Sequence, residues 1–197
     1  MLGTSKLVLK GKKLKELPPL PPILEYLDCH NNNLTSLPDL PSTLKILYCS
    51  GNNLTTLPPL PSTLTHLYCS NNNLTSLPLL PPTLEILCCG YNNLTSLPPF
   101  PSGLTSLYCC NNNLTTLPLL PCGLIYLDCG GNKLPDWYYT SSIEEVREKQ
   151  RQERLLLLRK KIATRIIQKV WTRYWYYPDE GGISRYSSYM SRVDMNR

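Results

Sequence analysis

A repeat of 20 residues constrains this chain more than any other feature of its sequence. Cysteine recurs at that spacing without a slip, and leucine and asparagine keep the same register. The recurring cysteines and asparagines are Cys29, Cys49, Cys69, Cys89, Cys109 and Cys129, and Asn32, Asn52, Asn72, Asn92, Asn112 and Asn132. A fixed period of this length predicts a solenoid, in which each unit stacks on its neighbours and none is stable alone.

The unit L-x-x-L-x-C-x-x-N-x-L-T-[ST]-L-P-x-[LF]-P-x-x gives most positions a structural role. Around Leu27 and Cys29, apolar residues alternate with variable ones, which predicts a short strand with one face in the core. Cysteine acts there as a small buried hydrophobe. Asparagine follows the strand, where its amide can satisfy backbone groups that a turn would leave unpaired. The cysteine and asparagine columns are therefore predicted to be structural ladders.

The second half of each unit, L-P-x-L-P, predicts extended chain rather than helix. Proline blocks a helix interior and pushes the residue before it towards extended conformations. Pro38 and Pro41 are three residues apart, as are Leu37 and Leu40. Because polyproline II has three residues per turn, we expect polyproline-II-like convex segments whose leucines close the core.

This unit resembles the short repeats of bacterial type III secreted effectors and of leucine-rich-repeat proteins from giant amoeba-infecting viruses. The match is close over residues 24–134 and looser over residues 4–23, where Lys12 stands at the asparagine position. The resemblance implies an α/β leucine-rich-repeat solenoid with short parallel strands on a concave face that recognises a protein. Some of those effectors add a ubiquitin-ligase domain. Only about 60 residues follow the repeats here, and the cysteine-centred chemistry of a ubiquitin-ligase domain is not recognisable in them. Ubiquitin-ligase activity is therefore not expected.

Pro135 breaks the repeat, and the rest of the chain has a different character. Overlapping S-x-x-E capping boxes start at Ser141 and Ser142, and no Gly or Pro interrupts residues 143–177, which predicts one long helix. Trp137 and its aromatic neighbours are expected to cover the last coil. The predicted divisions are residues 1–23 as a degenerate N-terminal repeat or cap, 24–134 as six repeats, 135–182 as a C-terminal cap and basic amphipathic helix, and 183–197 as a disordered tail.

The variable strand positions form the candidate binding surface on the concave face. Tyrosine dominates its centre, and tyrosine is enriched at interfaces because it combines apolar area with a polar tip. The surface comprises Tyr26, Asp28, Ile46, Tyr48, His66, Tyr68, Ile86, Tyr108, Tyr126 and Asp128. The alternative is that tyrosine and isoleucine are there only because they suit strands. Charge is scarce between residues 24 and 132, so nucleic acid is not expected on this face.

The net charge of +6 is concentrated after the repeats. Residues 1–135 hold 7 basic and 6 acidic residues, whereas residues 136–197 hold 13 and 8. An apolar stripe through Leu158, Ile162 and Ile166 makes the long helix basic and amphipathic. Its candidate binding residues are Arg159, Lys160, Lys161, Arg165, Lys169, Trp171 and Arg173.

Four partners suit such a helix: the solenoid end or another copy, a protein groove such as that of calmodulin, an anionic membrane, or nucleic acid. Residues 167–173 resemble the start of an IQ motif, but the arginine comes one place late and the following glycine is absent.

The other function classes find little support in the sequence. No nucleophile motif, phosphate loop or C-x-x-C pair is recognisable, and only Cys88, Cys110 and His66 form a conceivable metal cluster, so no enzyme activity, cofactor, metal or small-molecule substrate is expected. Nine cysteines, an odd number, and an N-terminus without a continuous apolar segment favour a reducing cytoplasm, that of the host if the protein is viral. The predicted function is therefore binding of a protein partner whose identity the sequence does not give.

Overall fold

The computed structural model describes residues 5–176, with side chains omitted for Val170 and residues 173–176. Seven strands of three residues each follow one another in the described chain: β1 Lys6–Val8, β2 Tyr26–Asp28, β3 Ile46–Tyr48, β4 His66–Tyr68, β5 Ile86–Cys88, β6 Ser106–Tyr108 and β7 Tyr126–Asp128. They form one parallel sheet in chain order, in which each residue pairs with the residue 20 positions later, as Leu27 pairs with Leu47. The predicted parallel solenoid is confirmed.

The core lies directly behind the sheet. The middle leucine of β2 to β6 is fully buried, and so are the leucines that precede and follow each of these strands, such as Leu44 and Leu54 around Leu47. The ladder cysteines are buried beside them, and Cys29 donates from its thiol to the Tyr48 carbonyl at 3.3 Å. Because every coil places the same side chains at the same depth, the core runs continuously from one repeat to the next.

The asparagine ladder joins neighbouring coils through backbone groups, as its sequence position predicts. The Asn52 side-chain oxygen accepts a bond from the Leu34 amide at 3.0 Å. Its Nδ2 donates to the carbonyls of Cys29 at 3.1 Å and Cys49 at 3.0 Å. One buried amide therefore satisfies groups from two repeats, which would otherwise be buried without partners.

The convex segments contain no helix in the described repeats, as the prolines predict. Each ends in a tight turn, in which the Leu44 amide donates to the Pro41 carbonyl at 3.0 Å, with equivalents in the other repeats. A second ladder accompanies this turn: the Thr63 hydroxyl lies 2.8 Å from the carbonyls of both Ser42 and Leu44 in the preceding coil. The only sequence signal for this threonine ladder is the recurrence of Thr43, Thr63 and Thr83 at the repeat period, because the repeat unit has no fixed residue at this position.

Two helices follow the last strand: α1 Trp137–Thr140 and α2 Ile143–Tyr176. Tyr138 and Val146 are buried and belong to the hydrophobic core, and Trp137 packs against it, so the core continues from the last coil into the first turn of α2. The predicted capping box forms at Ser142, whose amide donates to the Glu145 carboxylate at 2.8 Å while the Glu145 amide donates to its hydroxyl. No helix in the described part of the chain is long and apolar enough to span a membrane. The predicted disordered tail lies outside the described residues.

Candidate functional site

Two rows of side chains project from the outer face of the sheet, which we call the sheet face. The strand pairing aligns the first residues of the strands in one row: Lys6, Tyr26, Ile46, His66, Ile86, Ser106 and Tyr126. The third residues form the other row: Val8, Asp28, Tyr48, Tyr68, Cys88, Tyr108 and Asp128. All ten residues predicted to bind a partner therefore lie on one surface.

Three tyrosines are in direct contact on this face. The rings of Tyr48 and Tyr68 stack face to face, with centroids 4.3 Å apart and planes 5° from parallel. Tyr26 meets Tyr48 at 5.6 Å in a tilted arrangement, and the Lys6 ammonium lies 4.5 Å from the centre of the Tyr26 ring. Parallel pairing at a constant register places Tyr48 and Tyr68 directly beside each other on adjacent strands, whereas Tyr26 reaches Tyr48 diagonally from the other row.

The stack also changes the acidity of its phenols. Burial, followed by the neighbouring Tyr48 phenol, raises the pKa of Tyr68 to about 12. Burial and the Asp28 carboxylate raise the pKa of Tyr26 as well. Both hydroxyls are thus protonated near neutral pH and can donate as well as accept a hydrogen bond.

The two aspartates of the face differ in exposure. Asp28 is buried and its carboxylate pairs with the Nδ1 atom of His30. Asp128 is exposed and accepts from the backbone amide of Gly130 at 3.2 Å. Of the two, Asp128 is the carboxylate that a partner could reach directly.

The other predicted members range from buried to exposed. Tyr126 and Tyr108 are exposed, whereas Ile46, His66 and Ile86 are half-buried. Four residues outside the predicted set complete the face: Lys6 and Val8 on β1, Ser106, which is buried, and Cys88, which lies between Tyr68 and Tyr108. Burial raises the pKa of the Cys88 thiol to about 11, so this thiol is neutral and adds apolar surface to the row.

All nine cysteines have free thiols in the structure, and no group of three or more His, Cys, Asp or Glu within residues 5–176 is arranged to hold a metal ion. Burial raises the pKa of every ladder thiol, well above the usual value at Cys49, Cys69 and Cys89. Nucleophilic cysteines need a lowered pKa. The ladder thiols, with raised pKa values, are therefore protonated core side chains and not reactive groups.

The predicted tail residues all lie on α2. Arg159, Lys160, Lys161, Arg165, Lys169 and Trp171 are all exposed. Arg173 belongs to the same helix, but its side chain lies outside the described residues.

Comparison with known proteins agrees with this architecture. Residues 22–62 and 42–82 each match the family described as leucine-rich repeats, two copies. Among solved structures, the chain is similar to YopM from Yersinia enterocolitica, with 44% identity and a TM-score of 0.66, and to a Shigella effector leucine-rich-repeat domain, with 39% identity and a TM-score of 0.63. It is also similar to the functional domain of InlJ from Listeria monocytogenes, which includes a cysteine ladder, with 32% identity and a TM-score of 0.57.

Each of these similarities covers 66% of this chain. The chain in turn spans 30% of the YopM structure, 59% of the Shigella domain and 30% of the InlJ domain. No curated protein sequence matches the chain.

Proposed function

Because the chain is a leucine-rich-repeat protein whose repeats resemble those of bacterial effectors, we propose that it is a non-catalytic module that binds a protein partner through the sheet face. The observation that carries the proposal is the contact stack of Tyr26, Tyr48 and Tyr68, continued by Tyr108 beyond Cys88. Aromatic side chains held rigid by their neighbours lose little entropy when a partner covers them, which makes them suitable anchors.

Electrostatics support a protein rather than a nucleic acid on this face. Lys6, at the edge of the first strand, is the sole lysine or arginine in the two rows, and its ammonium is already placed over the Tyr26 ring. Phosphate backbones are bound by clusters of basic side chains, and the sheet face has none. The aromatic, weakly charged character matches the centre of protein interfaces.

The dimensions of the sheet restrict the shape of the partner. Seven strands at about 4.8 Å spacing give a length of roughly 29 Å. Strands of three residues give a width of only roughly 10 Å. This strip covers much less than the roughly 800 Å² per partner of a standard interface, so the proposed ligand is an elongated segment or helix, or a protein that also contacts the strip's edges.

The proposal includes a reducing compartment, the cytoplasm, and the host cytoplasm if the protein is viral. The six ladder cysteines are buried free thiols, and no disulfide joins any of the described residues. Disulfides persist mainly in secreted proteins, so a core built on thiols is suited to a compartment that keeps them reduced.

Site-specific photo-crosslinking tests which surface carries the partner. A photoreactive phenylalanine analogue would replace Tyr68 or Tyr108 on the sheet face, and Leu79, which is exposed on the convex side, would serve as the matched control. In extract of the native cell, we expect a discrete protein adduct from the sheet-face positions and none from position 79. Adducts only from position 79 would show that the convex side is the binding surface.

The triple substitution Tyr48→Ala, Tyr68→Ala, Tyr108→Ala then measures the energetic contribution of the aromatic row. Since interface tyrosines commonly contribute 1 to 2 kcal/mol or more each, we expect affinity for the identified partner to fall by about 100-fold or more. The control variant Leu79→Ala, Leu119→Ala should leave the affinity for the partner unchanged. A triple variant that keeps its circular dichroism spectrum and binds normally would refute the proposed use of the sheet face.

A further inference from the structure

The second half of α2 exposes apolar side chains on every side of the helix. Leu155, Leu156, Leu157 and Leu158 are each 54–60% exposed. Successive residues of an α-helix are about 100° apart, so these four leucines span the whole circumference. Further along, Ile166 and Ile167 are also adjacent and equally exposed. At residues 155–158 the apolar surface therefore encircles the helix, and beyond them it continues as the broader stripe that contains Ile162 and Ile166.

Positive charge is distributed in the same way. Arg159, Lys160 and Lys161 are consecutive, so they too cover about 200° of the circumference. Residues 154–172 hold six basic residues and no acidic one, and all six are exposed. A complementary partner must therefore offer both apolar surface and negative charge on more than one side of the helix.

The distribution of apolar and positively charged side chains around α2 distinguishes between the possible partners of a basic helix. A membrane surface contacts one side of a helix, so it would leave several leucines and cations in water. A nucleic acid would neutralise the cations but would set leucines against phosphates and base edges. A second copy of this helix would bring six cations against six more. A protein that encloses the helix with acidic, apolar lobes satisfies both requirements at once.

Two bulky residues are placed to fill two separate clefts. Leu158 and Trp171 are 13 residues apart, which is about 20 Å along the axis and roughly opposite sides of the helix. Both are exposed. We propose that residues 154–172 are the docking segment for an acidic, two-lobed protein of the EF-hand sensor type. Such sensors expose their methionine-rich apolar grooves on binding Ca²⁺, so the interaction is Ca²⁺-dependent.

Calorimetric titration of the full chain with calmodulin tests this inference. The affinity is measured once in Ca²⁺ and once in the presence of a chelator. We expect a one-to-one complex in Ca²⁺ that is lost in the chelator. The double variant Leu158→Ala, Trp171→Ala should weaken it by at least about 100-fold, because each anchor is expected to act as an interface hot spot.

Charge reversal provides a matched pair of variants on the same helix. Lys160→Glu with Lys161→Glu should weaken the complex by more than about tenfold, whereas Lys149→Glu with Arg151→Glu, upstream of the segment, should not. The inference is overturned if calmodulin does not bind, or if binding is the same without Ca²⁺. It is equally overturned if the chain instead binds phosphatidylserine vesicles or RNA, or if sedimentation shows that Leu158 and Trp171 mediate self-association.

Discussion

Tyr91 holds a backbone conformation that suits few residue types. The second residue after each ladder cysteine has a positive φ, and so has Gly11 at the equivalent position of the first coil: Gly11, Asn31, Gly51, Asn71, Tyr91, Asn111 and Gly131 lie between 52° and 66°. Glycine and asparagine tolerate this left-handed region, whereas an ordinary side chain is strained there by roughly 1–2 kcal/mol. The turn is fixed by the repeat, so position 91 adopts it although the residue is unfavourable.

Replacing Tyr91 with asparagine is therefore predicted to stabilise the protein. Asparagine is the residue at three equivalent positions, and the exposed ring of Tyr91 loses little burial when it is removed. We expect the free energy of unfolding to rise by about 0.5–1 kcal/mol, measured by urea denaturation. Tyr91→Phe keeps the strained backbone and should leave stability unchanged. A loss of stability in Tyr91→Asn would show that contacts of the ring outweigh the strain.

The difference between Asp28 and Asp128 shows where sequence reasoning stops at the residue scale. Both occupy the same repeat position, and the period predicts correctly that they share one row. Asp28 has a strand on each side and a histidine two residues later, whereas Asp128 is in the last strand and Gly130 follows it. Exposure thus depends on neighbours outside the repeat consensus, which the unit alone does not specify.

At the scale of elements, the start of α2 closes the described end of the solenoid. Val146 is fully buried in the core cluster. The Arg147 guanidinium donates to the carbonyls of Pro121, at 3.1 Å, and Leu124, at 2.8 Å, which the last coil leaves without a following repeat. A solenoid needs such a cover because its terminal coil otherwise exposes core and backbone to water.

Truncating Val146 tests this closing role. Since a fully buried valine contributes about 1.5–3 kcal/mol, Val146→Ala should lower the free energy of unfolding of the full chain by about 2 kcal/mol. Ile166→Ala removes a larger side chain from the exposed part of the same helix and should change it by less than about 0.5 kcal/mol. Equal effects of the two substitutions would mean that α2 does not stabilise the solenoid through Val146.

The elements divide into those that the period determines and those that it does not. Strand position, parallel pairing and the asparagine ladder all follow from a 20-residue repeat, because one unit's geometry is copied by every other. The capping box could also be predicted from the sequence, since Ser142 and Glu145 are only three residues apart. The hydrogen bonds of Arg147 could not be predicted, because its acceptors lie 23 and 26 residues earlier and no sequence pattern links them to it.

At the scale of the whole molecule, the thiol column makes stability depend on pH. Burial raises the pKa of all six ladder cysteines, to about 11 at Cys129 and about 12 at Cys29. Below the pKa of the unfolded thiols, both states are protonated and the full stability is present. Above it, the unfolded chain releases protons that the folded chain retains, so each buried thiol reduces stability by up to about 1.4 kcal/mol per pH unit.

We therefore expect the urea midpoint of the reduced protein to be constant from pH 6 to about 8 and to fall steeply towards pH 10.5. The variant Cys49→Ala, Cys69→Ala should start from a lower midpoint, because two buried side chains are shortened, but should decline less steeply, because two titrating groups are gone. Unfolding should remain a single transition throughout, since neighbouring coils share the ladder bonds. Parallel pH profiles for the two proteins would show that the thiol column does not control the alkaline limit of the fold.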